Sequence, residues 1–171
     1  KNITVIEAPN INKPDMLEKI RSYNADLLVV IAFGQKISSE VINAFTKRAI
    51  NVHASLLPEY RGAAPVNHAI MDGKTNTGIT IITLAEKMDA GDILATKETQ
   101  IEPYDNAGSI HDKLANLAAP VLIDTINKIE KDTAKYTPQK HDEATLAPKL
   151  SKKDGYIDFD QPADLVLNKI R

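Results

Sequence analysis

The chain has 171 residues, no cysteine, 23 acidic against 21 basic side chains and a formal net charge of −2. The lack of cysteine excludes disulfides, thiolate metal sites and thiol nucleophiles and is compatible with a reducing cytoplasm, while the near-balance of charge leaves no general footprint for a polyanion, so that any nucleic-acid contact is local or lies outside this chain. With 43% hydrophobic and 5% aromatic residues the composition is that of one ordinary globular domain; the longest apolar run, Leu27 to Phe33, is far too short to cross a bilayer and no secretory segment is visible.

Strand-like and helix-like patterns alternate through the first hundred or so residues, which predicts an α/β fold with a mostly parallel sheet and helices on both faces. Ile3 to Ala8 reads as a short strand. Pro14 opens a helix whose Met16, Leu17 and Ile20 keep the 3.6-residue period up to Tyr23. Asp26 to Phe33, DLLVVIAF, is a continuous apolar strand of the kind buried on both faces, ending at Gly34, where a loop can approach a ligand. Ser38 caps a helix through Phe45. Ala49 to His53 is the next strand, Pro65 to Met71 a short helix, Gly78 to Leu84 a buried strand, and Ile93 to Ile101, with charges on alternate positions, an edge strand. Gly108 to Lys131 is helical on one apolar side, with a kink or break expected at Pro120, which has no backbone donor. From Ala134 to Pro148 the chain turns polar and proline-dotted, a surface connector. One short strand follows between Leu150 and Asp160, and a last helix covers Ala163 to Ile170. The chain opens at Lys1 and stops at Arg171 inside an amphipathic pattern, which reads as a fragment lacking the first strands of its fold. Residues 1–134 form the body and residues 135–171 a connector toward a further domain.

The most informative stretch is INVHASLLPEYRGAAP, Ile50 to Pro65. Side chains alternate along a strand, so Asn51 and His53 face one side. Asp89, in a Lys87-Met88-Asp89-Ala90-Gly91-Asp92 turn after the next apolar strand, is expected to reach His53, because loops at the carboxyl ends of neighbouring parallel strands share one crevice. A carboxamide, an imidazole and a carboxylate suit amine attack at an acyl carbon: the amide donates to the oxyanion, and the imidazole beside a carboxylate holds a defined tautomer or relays the proton. Asp92 is assigned to turn or strand-start structure. His68, His111 and His141 have no metal-ligand spacing, and no metal site is expected. Arg61 could clamp an anion but serves a structural role at least as readily, and Phe33-Gly34 lacks the glycine pattern of a nucleotide-binding turn. The lysines at 152 and 153 read as a solvated face.

Asn51-Val52-His53, Ser55-Leu56-Leu57-Pro58, Arg61-Gly62-Ala63-Ala64-Pro65 and Asp89-Ala90-Gly91-Asp92 together resemble the folate-dependent formyltransferases, over nearly the whole chain. The resemblance implies a Rossmann-like fold and a catalytic set of Asn51, His53 and Asp89 acting on the formyl carbon of 10-formyltetrahydrofolate as co-substrate. It also implies a folate site lined by Ser55, Leu56, Leu57 and Pro58, with backbone contacts from Ile31, Ala32, Phe33, Gly34 and Glu86. RGAAP and the segment from Lys149 to Phe159 resemble the branch that formylates the α-amino group of methionyl initiator tRNA, implying that partner, gripped mostly by regions absent here, and a C-terminal OB-like domain after the connector. Other acceptors within the family are an amino-sugar nucleotide or water, and a scaffold that only binds folate is the reading from another class.

Overall fold

The computed structural model describes residues 3–171. In chain order its elements are α1 (Pro14–Ser22), β1 (Leu27–Ile31), α2 (Ser39–Ile42), β2 (Arg48–His53), β3 (Arg61–Gly62), α3 (Pro65–Met71), β4 (Asn76–Thr83), β5 (Ile93–Gln100), α4 (Ala107–Glu130), β6 (Leu146–Ala147) and α5 (Ala163–Ile170), with single 3₁₀ turns at His141–Glu143 and Lys152–Gly155. A four-stranded sheet runs in the order β1-β2-β4-β5 and a two-stranded one joins β3 to β6.

The α/β fold is as expected, and its sheet is mixed. β1 and β2 are parallel; β4 runs antiparallel to β2 and β5 antiparallel to β4. The short turn between β4 and β5 allows only a hairpin, since a parallel return needs a crossover of a dozen or more residues. β4 is the buried centre, with Ile79, Ile81 and Ile82 at most 1% exposed, helped by a register shift between Ile81 and Ile82. The apolar side of α4 (Ile110, Leu114, Ile129) covers it together with Val66 and Ile70 of α3.

Several expectations are corrected. Ile3 to Ala8 is not a strand: it makes no ladder, and Ile3 and Val5 are more than 80% exposed. β1 is only half buried and Ile31 is 56% exposed, because β1 is an edge of the described sheet. α2 ends at Ile42 rather than Phe45, although Ser38 caps it through a bond from Val41 N–H at 3.4 Å. α4 runs unbroken through Pro120; Asn116, whose carbonyl loses its helical donor there, is exposed and open to water, and the apolar face on either side holds the helix together. No strand forms between Leu150 and Asp160, where a 3₁₀ turn stands instead. The connector after Ala134 is more than surface: Thr137 bridges to Ile93, Leu146–Ala147 pairs with β3, and Gln139 is buried.

The start of α4 is tied down by charge. Asn106 and Ser109 form a reciprocal cap, and the Asp105 carboxylate accepts from Lys113 Nζ at 2.5 Å, Ser109 Oγ at 2.8 Å and Glu102 N–H at 2.8 Å. The Lys113 hydrogen bond above all, helped by the Glu102 amide and the Ser109 hydroxyl, holds the Asp105 pKa down to about 2. A carboxylate with a lowered folded-state pKa stabilises the fold above its unfolded value of ~3.9 and loses that contribution as pH falls toward the folded value. Asp105→Asn is therefore expected to lower Tm at pH 7 by about 2–4 °C, the shift that follows a loss on the order of 1 kcal/mol in a chain of this size. The difference from wild type narrows between pH 4 and pH 2. Thermal melts followed by circular dichroism at both ends of that window check it.

Candidate active site

β2 ends in the motif that carries the chemistry. Parallel pairing places Asn51 beside Val30, antiparallel pairing places His53 opposite Thr80, and the period-2 alternation turns both polar side chains to one side. His53 is 6% exposed. Its Nε2 lies 2.8 Å from the carbonyl oxygen of Tyr60; a carbonyl only accepts, so Nε2 carries the proton and Nδ1 is the nitrogen left to exchange one. Nδ1 faces Asp89 Oδ2 at 3.6 Å. That carboxylate also accepts from the Gly62 amide at 2.9 Å, and its other oxygen from Asn51 Nδ2 at 3.4 Å. The long Asn51 contact engages one amide hydrogen and leaves the second free to donate elsewhere.

The three expected residues thus come together, by a different route from the one expected. β4 is antiparallel to β2, so the end of β4 lies opposite Ile50 at the beginning of the motif, and the segment after Thr83 folds back to bring Asp89 to Asn51 and His53. Two features shape that turn. Asp89 has φ +50°, the left-handed region that Asp tolerates better than most residues, and at Gly91 any Cβ would fall on the carbonyl oxygen of Thr83. Asp92 opens β5, its amide donating to Thr83 Oγ1 at 2.9 Å, the strand-start role expected.

Ser55 to Pro58 begin two residues after His53. None of these residues lines the cleft. Thr80 Oγ1 donates to the Ser55 carbonyl at 2.7 Å and accepts from Leu57 N–H at 3.1 Å, and Ser55 Oγ donates to the Glu59 carbonyl at 2.6 Å. The loop is a buttress behind His53. It delivers Tyr60, which sequence reasoning missed. Tyr60 has φ +61°, a costly backbone for a bulky residue, held by a buried ring, by its amide on Thr145 Oγ1 at 2.8 Å and by its hydroxyl donating to Asp72 Oδ2 at 2.9 Å. Burial, reinforced by Asp72, pushes the Tyr60 hydroxyl pKa up, so it remains a donor. This backbone turn aims the Tyr60 carbonyl at His53.

In front of the three groups opens a cleft of about 760 Å³, within the range of small-molecule sites. Ile31, Ala32, Phe33 and Gly34, all exposed, form one wall, and Glu86 and Met88 another. Ala63 to Val66 line the cleft as well. His111 is on the rim and 76% exposed. Arg61 is not free to clamp an anion: its guanidinium donates to Gln139 Oε1 at 3.2 and 2.6 Å and contacts His141 Nδ1 at 3.0 Å. Gln139 is the second residue missed; its side-chain amide donates to backbone carbonyls of the Asp89 turn some fifty positions away, and bonds to a carbonyl leave no sequence signal.

A mixed α/β sheet presenting a carboxamide, a tautomer-fixed imidazole and a carboxylate at an open apolar cleft is an arrangement suited to group transfer at a carbonyl carbon. Residues 5–126 match the family described as formyl transferase, and the chain belongs to that family. It is 45% identical to the methionyl-tRNA formyltransferase of Sulfurihydrogenibium sp. over 99% of this chain and 55% of that protein, and 45% identical to that of Akkermansia muciniphila over 99% and 54%. The chain spans about half the length of the curated relatives it matches. Among solved structures, HypX from Aquifex aeolicus in complex with tetrahydrofolic acid superposes with a TM-score of 0.79 at 25% identity, over 92% of this chain and 28% of that one. A sugar N-formyltransferase from a Shewanella species shares the fold, with a TM-score of 0.79 at 22% identity over 94% and 64%.

Among the described residues the Gly62 amide is the backbone donor to the Asp89 carboxylate. Gly62 has φ +127°, and a Cβ there would come within 2.5 Å of the Ala147 carbonyl oxygen. Gly62→Ala is expected to cost on the order of 1–3 kcal/mol of stability, seen as a lowered midpoint in urea.

Proposed function

We propose that the full-length protein transfers the formyl group of 10-formyltetrahydrofolate to the α-amino group of methionine esterified to initiator tRNA. The observation that carries this reading is the convergence of Asn51, His53 and Asp89 on one cleft. The acceptor is supported by 45% identity to methionyl-tRNA formyltransferases, and the donor by the HypX structure with tetrahydrofolic acid. The folate lies against Ile31, Ala32, Phe33, Gly34 and Glu86, whose exposed apolar and backbone surfaces suit a flat heteroaromatic ring.

Transfer is direct. The amine nitrogen attacks the formyl carbon, and the carbonyl oxygen of the tetrahedral intermediate takes its hydrogen bond from the free Asn51 Nδ2 hydrogen. The amine proton passes to the His53–Asp89 pair and returns to N10 of tetrahydrofolate as the carbon–nitrogen bond to the donor breaks, so no group stays on the enzyme. Burial of His53 and Asp89, 6% and 13% exposed at their side chains, strengthens these charge interactions where water would weaken them. A tRNA acceptor puts the reaction in the cytoplasm; among the described residues no helix is long and apolar enough to cross a membrane.

The test supplies the full-length protein and 10-formyltetrahydrofolate with charged initiator tRNA, with an amino-sugar nucleotide, or with no amine. Formylmethionyl-tRNA is the expected product, with Asn51→Ala lowering kcat by about 10²- to 10³-fold and His53→Ala abolishing transfer while circular dichroism stays native. Preference for the sugar, formate release without an amine, or folate binding without turnover would each replace this reading with another. Equal rates in wild type and His53→Ala would remove His53 from the chemistry.

A further inference from the structure

Gln139 lies in the polar connector, outside the stretch that matches the family, yet it is 6% exposed and every hydrogen-bonding position of its amide is filled. Nε2 donates to the carbonyl oxygens of Asp89 at 2.9 Å and Gly91 at 2.7 Å. Oε1 accepts from Arg61 Nε at 3.2 Å and from an Arg61 terminal nitrogen at 2.6 Å. Carbonyls only accept and a guanidinium only donates, so the orientation of the amide is fixed without ambiguity. The two partners belong to different segments: the turn at 89–91 carries the carboxylate, and Arg61 precedes Gly62, whose amide holds Asp89 Oδ2 at 2.9 Å. One side chain therefore ties together the segment that bears the carboxylate and the segment that holds it. The turn needs such a tie, because Asp89 is in the left-handed region at φ +50°.

We infer that Gln139 is a positioning residue of the formyl-transfer centre: through its amide it locks the Asp89 turn to β3 and so sets the Asp89 carboxylate against His53 and Asn51. The inference rests on the proposed function for its catalytic consequence and on geometry alone for its structural one. A connector following the catalytic elements thereby becomes part of the active site without touching substrate.

The test compares Gln139→Ala and Gln139→Glu in the full-length protein. The glutamate keeps the volume and the Arg61 contacts but turns an oxygen toward the two carbonyls, so a space-filling role would be rescued by it and a positioning role would not. Both variants are expected to lose kcat for formyl transfer by up to about 10²-fold, the scale on which misplacement by an ångström acts, with KM for both substrates within twofold. The Gly62 amide proton, followed by ¹⁵N-edited NMR, is expected to move upfield toward its position in Asp89→Ala, reporting loss of the carboxylate acceptor whether or not the protein is active. Wild-type rates in Gln139→Glu, or an unmoved Gly62 resonance in a folded variant, would overturn the inference; if the alanine variant does not fold, the glutamate variant alone decides. Should wild type show no formyl transfer while the Gly62 resonance still shifts, the proposed function falls and the structural lock stands.

Discussion

A carboxylate removed from water has to be given donors, and the Asp89 group is where this protein does so. Its oxygens accept from the Gly62 amide and the Asn51 carboxamide and face the ring of His53, and each comes from a part of the chain built for another reason: β2 supplies two by strand alternation, β3 supplies one from its backbone. A 13% exposed carboxylate without those donors would face a desolvation penalty of several kcal/mol. The same contacts that make its burial tolerable also leave it in line with the imidazole. Satisfying the buried carboxylate and placing it against the imidazole are here one set of contacts.

The imidazole is fixed from the opposite side. Tyr60 holds Nε2 through its carbonyl, and that carbonyl is aimed by a left-handed backbone that only a fully anchored tyrosine sustains. Behind it the Ser55–Pro58 loop is stitched to Thr80 of β4, and Leu56 packs where Gly78 leaves room for it. The contrast with the cleft walls is sharp: Ile31 to Gly34 and Glu86 are exposed, whereas His53, Ser55, Leu57 and Tyr60 are buried. Rigid chemistry behind and open apolar surface in front is the distribution that preorganisation asks for, since groups that stabilise charge in the transition state must not reorganise when it forms.

This division explains what was legible in the sequence. Asn51 and His53 were, because a two-residue period is a local property that survives any tertiary arrangement. The helix at Pro65 and the buried strand GITIITL were legible for the same reason. Asp89 was found through the wrong geometry: parallel strand ends were invoked, yet β4 is antiparallel to β2 and a fold-back makes the contact. The packing of the Ser-Leu-Leu-Pro loop is not legible, because apolar residues and free backbone groups look alike whether they face a ligand or a core; the bond to Ser55 from Thr80, 25 residues away, is what reveals its core-facing side. The burial of β1 was misjudged since an apolar run records what a strand tolerates and not how many neighbours it has.

Gln139 marks the deepest limit of such reading. A glutamine in a polar, proline-dotted segment has the composition of a loop, and composition changes at about residue 134, but hydrogen bonds cross that point freely: Thr137 to Ile93, Gln139 to Asp89 and Gly91, and β6 to β3. A segment is mechanically separate only where few contacts cross to it, and by that criterion residues 137–147 belong with the Asp89 turn. Whatever the chain does beyond that point is tied to the Asp89 turn by one amide and to β3 by a two-residue ladder whose Ala147 is itself a buried core residue, so the connector meets the site and the core together.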